Sequence, residues 1–383
     1  MKKKVLFVIP TIWAGGTNSA LGSLYNNIDQ SRYEIAVLAC DYFGGRKVIY
    51  ENALIKNMPL LAAYYSTGRY SNVAEKLFCY LIKSLKKIIK IFDKNFDQWF
   101  NRFIIHRFEK NNRFDTVVAY NEVAVPFVSH FRCENKIAWI HCDYSKYILP
   151  DKTEEEFYEK YKTIVTVSEY TTSVFKQFYP CLSDKCKSIY NLLDIARIKE
   201  CSKQSVDDYR FVTDCFTIVS VGRIVKVKCF REIPKLAKAL NQKGCKFRWY
   251  IIGPEFDQDE ARAIQEGIKN MDVADKVFWL GGKTNPYPYF KNADLYVCTS
   301  ESEACPMVFI ESKVLGTPIV TADFPSAKEF IHQGEDGYIV PIENIPETIY
   351  DIVSNNKMEI LNLNVSHFTF SNDQLLEQIY TIL

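Results

Sequence analysis

The sequence predicts an α/β chain built from two doubly wound parallel sheets. Three observations carry this expectation. Short, continuous apolar runs alternate with helical stretches, the pattern of strands buried on both faces. The alternation occurs twice, in two series of similar length separated by the polar stretch Lys199–Arg210. The chain has 383 residues, which suits two domains of ordinary size.

The first series reads as strands at Val5–Ile9, Ile35–Ala39, Thr116–Ala119, Lys136–Ile140 and Thr163–Val167. The N-terminus, with lysines before an apolar run, superficially resembles a secretory leader. The run stops at Pro10 after a few residues and reads better as a first buried strand. It leads through Pro10-Thr11-Ile12-Trp13-Ala14 into Gly15-Gly16, with a helical pattern from Thr17. A glycine turn between a strand and a helix lets backbone approach a phosphate. Any doubly wound sheet needs such a turn, so Gly15 and Gly16 are weak markers taken alone. The second series reads as strands at Phe216–Val221, Arg248–Ile252, Val277–Leu280, Leu295–Cys298 and Pro318–Thr321. Ser371–Leu383 reads as a short amphipathic helix. The expected division is therefore residues 1–198, 199–370 and a terminal segment 371–383.

Composition excludes several classes. Apolar residues make up 48% and charged residues 25%, a normal globular balance. A net charge of +2 gives no global attraction to nucleic acid. Twelve cysteines are scattered without a CxxC pair, which fits reduced thiols in a cytosol better than a disulfide framework. No apolar stretch reaches the roughly 18 residues of a membrane span.

The most informative stretch follows the run Leu295–Cys298. Glu303 and Glu311 lie eight residues apart in Ser300-Glu301-Ser302-Glu303-Ala304-Cys305-Pro306-Met307-Val308-Phe309-Ile310-Glu311. The apolar run after Pro306 reads as a helix, with Glu311 in its first two turns and Glu303 on the loop before it. Free backbone N–H groups of a helix start, here those around Cys305, Pro306, Met307 and Val308, favour a phosphate, while the flanking carboxylates accept hydrogen bonds from hydroxyls. A ligand with hydroxyls at both ends and a diphosphate between them, a nucleotide-sugar, suits that pattern. The plainer reading is a helix start that collects acidic residues because the dipole favours them.

This stretch, with Leu315-Gly316-Thr317-Pro318-Ile319-Val320, Glu329 and Asp336-Gly337, resembles the signature of the family-4 retaining glycosyltransferases. The resemblance runs through nearly the whole chain and is strongest over residues 216–341. It implies the GT-B architecture, with an acceptor-binding first domain, a donor-binding second domain and a C-terminal helix that crosses back to the first. Gly222-Arg223-Ile224-Val225-Lys226-Val227-Lys228 resembles the family's Gly-Arg-x4-Lys element, which implies that Arg223 and Lys228 hold the donor diphosphate. Two fixed cations suit a leaving group whose charge grows as the glycosidic bond breaks. The family usually has Gly after this Lys; here Cys229 stands instead. Trp139-Ile140-His141-Cys142-Asp143 resembles the Trp-x-His-x-Asp element of bacterial polysaccharide glycosyltransferases. It implies that His141 contacts the donor sugar and that Asp143 faces the acceptor; a structural His satisfied by backbone is the plainer reading.

The cations take the place of a metal ion, so no metal and no cofactor is expected. Asp257-Gln258-Asp259 reads as a solvated acidic loop. The resemblance further implies a nucleotide-sugar donor, with uridine the common base, and a glycan or polyprenyl-diphosphate-linked glycan acceptor at the inner face of the cell membrane. Residues 76–94 form a basic amphipathic stretch: Leu77, Leu81, Leu85 and Ile88 recur at helical spacing, and Lys76, Lys83, Lys86, Lys87, Lys90 and Lys94 occupy much of the rest. Such a helix lies on an anionic membrane surface, or packs on the sheet with a solvated lysine face. Two rival functions remain: a nucleotide-sugar epimerase of the same architecture, and a catalytically silent partner subunit. The oligomeric state is not legible.

Overall fold

Apolar runs too short for helices and too continuous for half-exposed strands have one stable destination, a parallel sheet covered on both sides. The chain forms two such sheets. The computed structural model describes residues 1–11, 15–41, 54–56, 58–65, 73–92, 95–146, 153–206 and 215–383. Packing divides it into two units, Met1–Leu192 with Asn372–Leu383, and Leu193–Ser371.

The first unit holds β1 (Lys3–Ile9), β2 (Tyr33–Ala39), β3 (Leu54–Lys56), β4 (Thr116–Ala119), β5 (Asn135–Ile140), β6 (Thr163–Thr166) and β7 (Cys186–Ser188). Their spatial order is β3-β2-β1-β4-β5-β6-β7, all pairs parallel. The second unit holds β8 (Phe216–Val221), β9 (Phe247–Ile252), β10 (Val277–Trp279), β11 (Leu295–Cys298), β12 (Ile319–Ala322) and β13 (Gly337–Val340). Their order is β10-β9-β8-β11-β12-β13, again parallel throughout. In each sheet the winding reverses once, between β1 and β4 and between β8 and β11. Ligands of open α/β sheets bind outside the carboxyl ends of the strands at such reversals.

The central strands are buried along their length, and polar atoms inside them are used. Trp249 Nε1 donates to Ser220 Oγ at 3.0 Å, and Ser220 Oγ donates to the Val297 carbonyl at 2.6 Å, tying β9, β8 and β11 together. Gly253 ends β9 where a Cβ would stand 1.7 Å from the Gly222 carbonyl oxygen, so only glycine lets the β8 and β9 ends approach this closely.

The terminal helix Asp373–Ile382 belongs to the first unit. Tyr380 stacks on Tyr33 at 5.5 Å, its hydroxyl accepts from Asp29 N at 3.0 Å, and the Leu383 carbonyl accepts from Thr116 Oγ1 at 2.9 Å. The unit boundary falls at Leu192, a few residues before the expected 198/199 division. The helix Ile195–Cys201, capped by Asp194 through Arg197 N, therefore starts the second unit. Residues 207–210 of the expected linker lie outside the described residues.

Candidate active site

The β8/β11 reversal gathers the residues of the second unit singled out above. Gly222, Arg223 and Lys228 leave the carboxyl end of β8; Thr299 to Glu303 leave the carboxyl end of β11. The two segments are bonded directly, with Glu301 N donating to the Val227 carbonyl at 2.9 Å and Thr299 Oγ1 to the Lys228 carbonyl at 2.7 Å. Lys228 and Glu303, far apart in sequence, form a largely buried ion pair. Burial works against the Lys228 charge, but the Glu303 carboxylate outweighs it and holds the ammonium above its usual pKa. Ser300 Oγ donates to the same Glu303 oxygen at 2.6 Å, and Ser326 Oγ fixes the Glu303 carbonyl at 2.6 Å. Arg223 is exposed, with its guanidinium 5.2 Å from the centre of the Phe256 ring, and its charge opposes that of Lys228.

Cys229, where the family has Gly, adopts the left-handed conformation at φ 50° and ψ 30°. The loop therefore keeps the glycine-type turn, at a strain of about 1 kcal/mol for a residue with a Cβ.

Pro306 caps a helix at Met307–Val314, with Cys305 just before it and Val308 in its first turn. The helix ends at Gly316, whose φ of 83° is the left-handed stop of Leu-Gly-Thr-Pro. Glu311 is largely buried: it is 9% exposed and accepts from the Tyr287 hydroxyl at 3.4 Å. Burial pushes its carboxyl up to about 7, a rise the Tyr287 hydrogen bond opposes. Burial raises the Tyr296 phenol of β11, and the charges of Glu303 and Glu311 both add to that rise, so the two carboxylates flank one strand end. Helix N–H groups, two cations and two carboxylates at one reversal can hold an anion bearing hydroxyls on either side.

Other positions read differently in the structure. Asp257 is a helix cap, its Oδ1 accepting from Asp259 N at 3.0 Å and Glu260 N at 3.2 Å, so the acidic loop is the start of Gln258–Asn270. In the first unit His141 follows β5, as expected. Its Nε2 is buried with no hydrogen-bond partner among the described residues, and burial lowers its pKa to about 3, which keeps the ring neutral. The Tyr120 ring lies 4.6 Å from it, and Glu122 Oε2 accepts from its backbone N–H at 3.1 Å. Asp143 is buried, and its Oδ1 accepts from Ser145 N at 2.9 Å and Ser145 Oγ at 2.7 Å, which makes it a turn former. Gly15 is extended and Gly16 opens the helix Gly16–Asn27; a Cβ on either would meet nothing within 4 Å. Residues 12–14 of that turn lie outside the described residues.

Sequence reasoning missed Tyr287, Phe256, Ser300, Ser326 and Glu122. Ser300 stood in reach, three residues before Glu303 in a Ser-x-x-Glu pattern. The others come from distant segments and leave no local signal.

Residues 203–359 match the family described as "Glycosyl transferases group 1". An uncharacterized glycosyltransferase of Methanocaldococcus jannaschii is 24% identical over 183 residues, 47% of this chain and 44% of that protein. The N-acetylgalactosamine-N,N'-diacetylbacillosaminyl-diphospho-undecaprenol 4-alpha-N-acetylgalactosaminyltransferase of Campylobacter jejuni is 30% identical over 161 residues, 42% of this chain and 41% of that one. The chain thus spans under half the length of these curated relatives. Among solved structures, Anabaena HepE in complex with UDP and glucose superposes with a TM-score of 0.71 at 16% identity, covering 99% of this chain and 98% of that one. The chain has the GT-B fold, and its residues 203–359 match the group 1 glycosyltransferase family.

Proposed function

We propose that this group 1 domain makes the chain a family-4 retaining glycosyltransferase of cell-surface polysaccharide synthesis. It moves a sugar from a UDP-sugar to a glycan or polyprenyl-diphosphate-linked glycan, without a metal ion. The observation that carries the reading is the convergence of Arg223, Lys228, Glu303, Glu311 and the start of Met307–Val314 at the β8/β11 reversal. The UDP bound in the HepE structure and the diphospho-undecaprenol acceptor in the Campylobacter enzyme's name support the choice of donor and acceptor.

In this reading the helix start and the two cations hold the diphosphate, Glu311 accepts from the ribose hydroxyls, and Glu303 from the sugar hydroxyls. The acceptor hydroxyl bonds to the anomeric carbon on the face from which the diphosphate departs. Its proton passes to the departing phosphate oxygen. Arg223 and Lys228 stabilise the charge that grows there, the contribution a metal ion makes elsewhere. The neutral imidazole of His141 suits the donor-sugar role that the resemblance implies for it.

A panel of nucleotide-sugars, without acceptor and in excess EDTA, tests this. One UDP-sugar should release UDP slowly, at a rate EDTA leaves unchanged. Release from none of them, or formation of an epimerised nucleotide-sugar, would remove the assignment.

The membrane contact belongs to the helix Val73–Phe92. Leu77, Leu81, Leu85, Ile88 and Ile91 are each 46–74% exposed, while Cys79 is buried and Ile82 packs on the core. The apolar face looks outward and the narrow packed face continues through Lys86. Trp99 and Phe103, on the next helix, Phe96–Glu109, add a stacked, exposed aromatic pair at 5.6 Å. Lys94 lies outside the described residues. An outward apolar face of this size suits the boundary between headgroups and acyl chains. Replacing Leu81, Leu85 and Ile88 together by Ser should abolish co-sedimentation with phosphatidylglycerol vesicles; retained binding would show that this face meets something else.

A further inference from the structure

The ends of β4 and β5 in the first unit carry a polar cluster that the reading above leaves unused. β4 runs into Tyr120-Asn121-Glu122, and Glu122 opens the short turn Glu122–Ala124. β5 runs into His141-Cys142. One half-buried carboxyl ties the two strand ends together. Glu122 Oε2 accepts from the His141 backbone N–H at 3.1 Å, and its Oε1 accepts from Asn121 Nδ2 at 3.1 Å. The Cys142 thiol and the Glu122 backbone N–H donate to the same carboxyl. Asn121 is not free to turn round. Its Oδ1 accepts from Val123 N at 3.0 Å as the cap of the turn, so its NH2 is the end that faces Glu122. The partners of this carboxyl are therefore all donors, and the Cys142 sulfur is at most a weak acceptor. Burial pushes the Glu122 carboxyl up, and these donors oppose the rise. An acceptor-only side chain suits the position. An amide of the same shape would set an NH2 against Asn121 or against the His141 N–H.

What this arrangement fixes is His141. The Tyr120 ring lies 4.6 Å from the imidazole, so the end of β4 holds His141 twice, by a ring against its ring and by a carboxyl on its backbone. The imidazole Nε2 stays buried with no hydrogen-bond partner among the described residues. Buried polar atoms are nearly always paired, so an open nitrogen on a ring held this firmly is set to meet a ligand atom. We propose that Glu122 is a positioning residue for sugar transfer, which acts by holding His141 where its open Nε2 meets the donor sugar. The inference rests on the glycosyltransferase reading above and extends it to a carboxyl that need not touch substrate itself.

Hydrogen-bond polarity supplies the test. Glu122→Gln keeps the size of the side chain and turns one acceptor into a donor. It should slow UDP release from the UDP-sugar that the wild type hydrolyses about ten-fold, with the KM for that sugar and the affinity for free UDP nearly unchanged. Asn121→Asp/Glu122→Gln should recover most of the rate. The new carboxylate at 121 keeps the cap on Val123 N and accepts from the new amide at 122, whose oxygen still takes the His141 N–H. In a His141→Ala background, Glu122→Gln should cost nothing further. A wild-type rate in Glu122→Gln, a loss that the paired change does not restore, or an equal further loss in the His141→Ala background overturns the proposal. A second readout needs no turnover. The nitrogen NMR signals of the His141 imidazole, identified by their absence in His141→Ala, should move in Glu122→Gln and return in the paired variant. Unmoved His141 signals overturn the proposal whatever the rates. A wild type that hydrolyses no nucleotide-sugar, with His141 signals that move and return, would count against the glycosyltransferase reading and leave the hold on His141 standing.

Discussion

Replacing Arg223 or Lys228 by alanine is expected to slow sugar transfer at least ~100-fold, a loss of about 2.7 kcal/mol of transition-state stabilisation. Both side chains leave the end of β8, and neither contributes to the apolar core of the second unit. Arg223→Ala removes an exposed guanidinium over the Phe256 ring and should leave the unfolding midpoint nearly unchanged. Lys228→Ala also strips Glu303 of its counter-charge, so a modest loss of stability should accompany the loss of rate. The checks are single-turnover transfer rates and urea unfolding of each variant. Near-normal transfer in either would remove that residue from the diphosphate site.

Glu311 should make the second unit sensitive to pH in both stability and affinity. Its folded-state pKa of about 7 lies above the ordinary 4.5, because burial disfavours the carboxylate. The neutral form is therefore the one that folding favours. Its contribution is fully present below the ordinary value and is lost as pH rises through about 7. Glu311→Gln has no charge to bury and should raise stability at pH 8 by about 3 kcal/mol, with little gain at pH 4. UDP affinity should move the opposite way. On the proposed reading the ionised carboxylate accepts from both ribose hydroxyls, so lowering pH from 8 to 6 should weaken UDP binding roughly ten-fold, and Glu311→Gln should flatten that dependence. Unfolding curves and UDP titrations across this range decide it. A wild-type stability that does not fall between pH 5 and 8 relative to the Gln variant would show that Glu311 ionises freely.

These expectations trace back to what the residues announce by themselves. The central strands were readable because burial on both faces leaves continuous apolar runs such as Phe216–Val221. The short edge strands β3 and β7 were not, since Leu54-Ile55-Lys56 and Cys186-Lys187-Ser188 are partly exposed and carry the lysines that protect sheet edges. β13 was noticed only as a motif around Asp336-Gly337. The spacing of Glu303 and Glu311 set them on either side of a helix start, where they are found. It could not reveal that Glu303 pairs with Lys228 or that Tyr287 reaches Glu311, because those contacts span long stretches of sequence. The helix Val73–Phe92 shows the limit most clearly. Its periodicity defines an apolar face and a lysine face but not which of them turns inward. Packing put Cys79, Ile82 and Lys86 against the body and left the leucines outside.

The Lys228–Glu303 pair has a consequence for what can enter the proposed donor site. An empty site that already carries its own counter-ion offers little to a passing phosphate, which can replace Glu303 at Lys228 but leaves a largely buried carboxylate stranded. A ligand that carries an anion for the lysine and hydroxyls for the glutamate replaces both halves at once. On the proposed reading the pair works as a two-part lock, in which abundant simple anions turn only one ward and an intact sugar donor turns both.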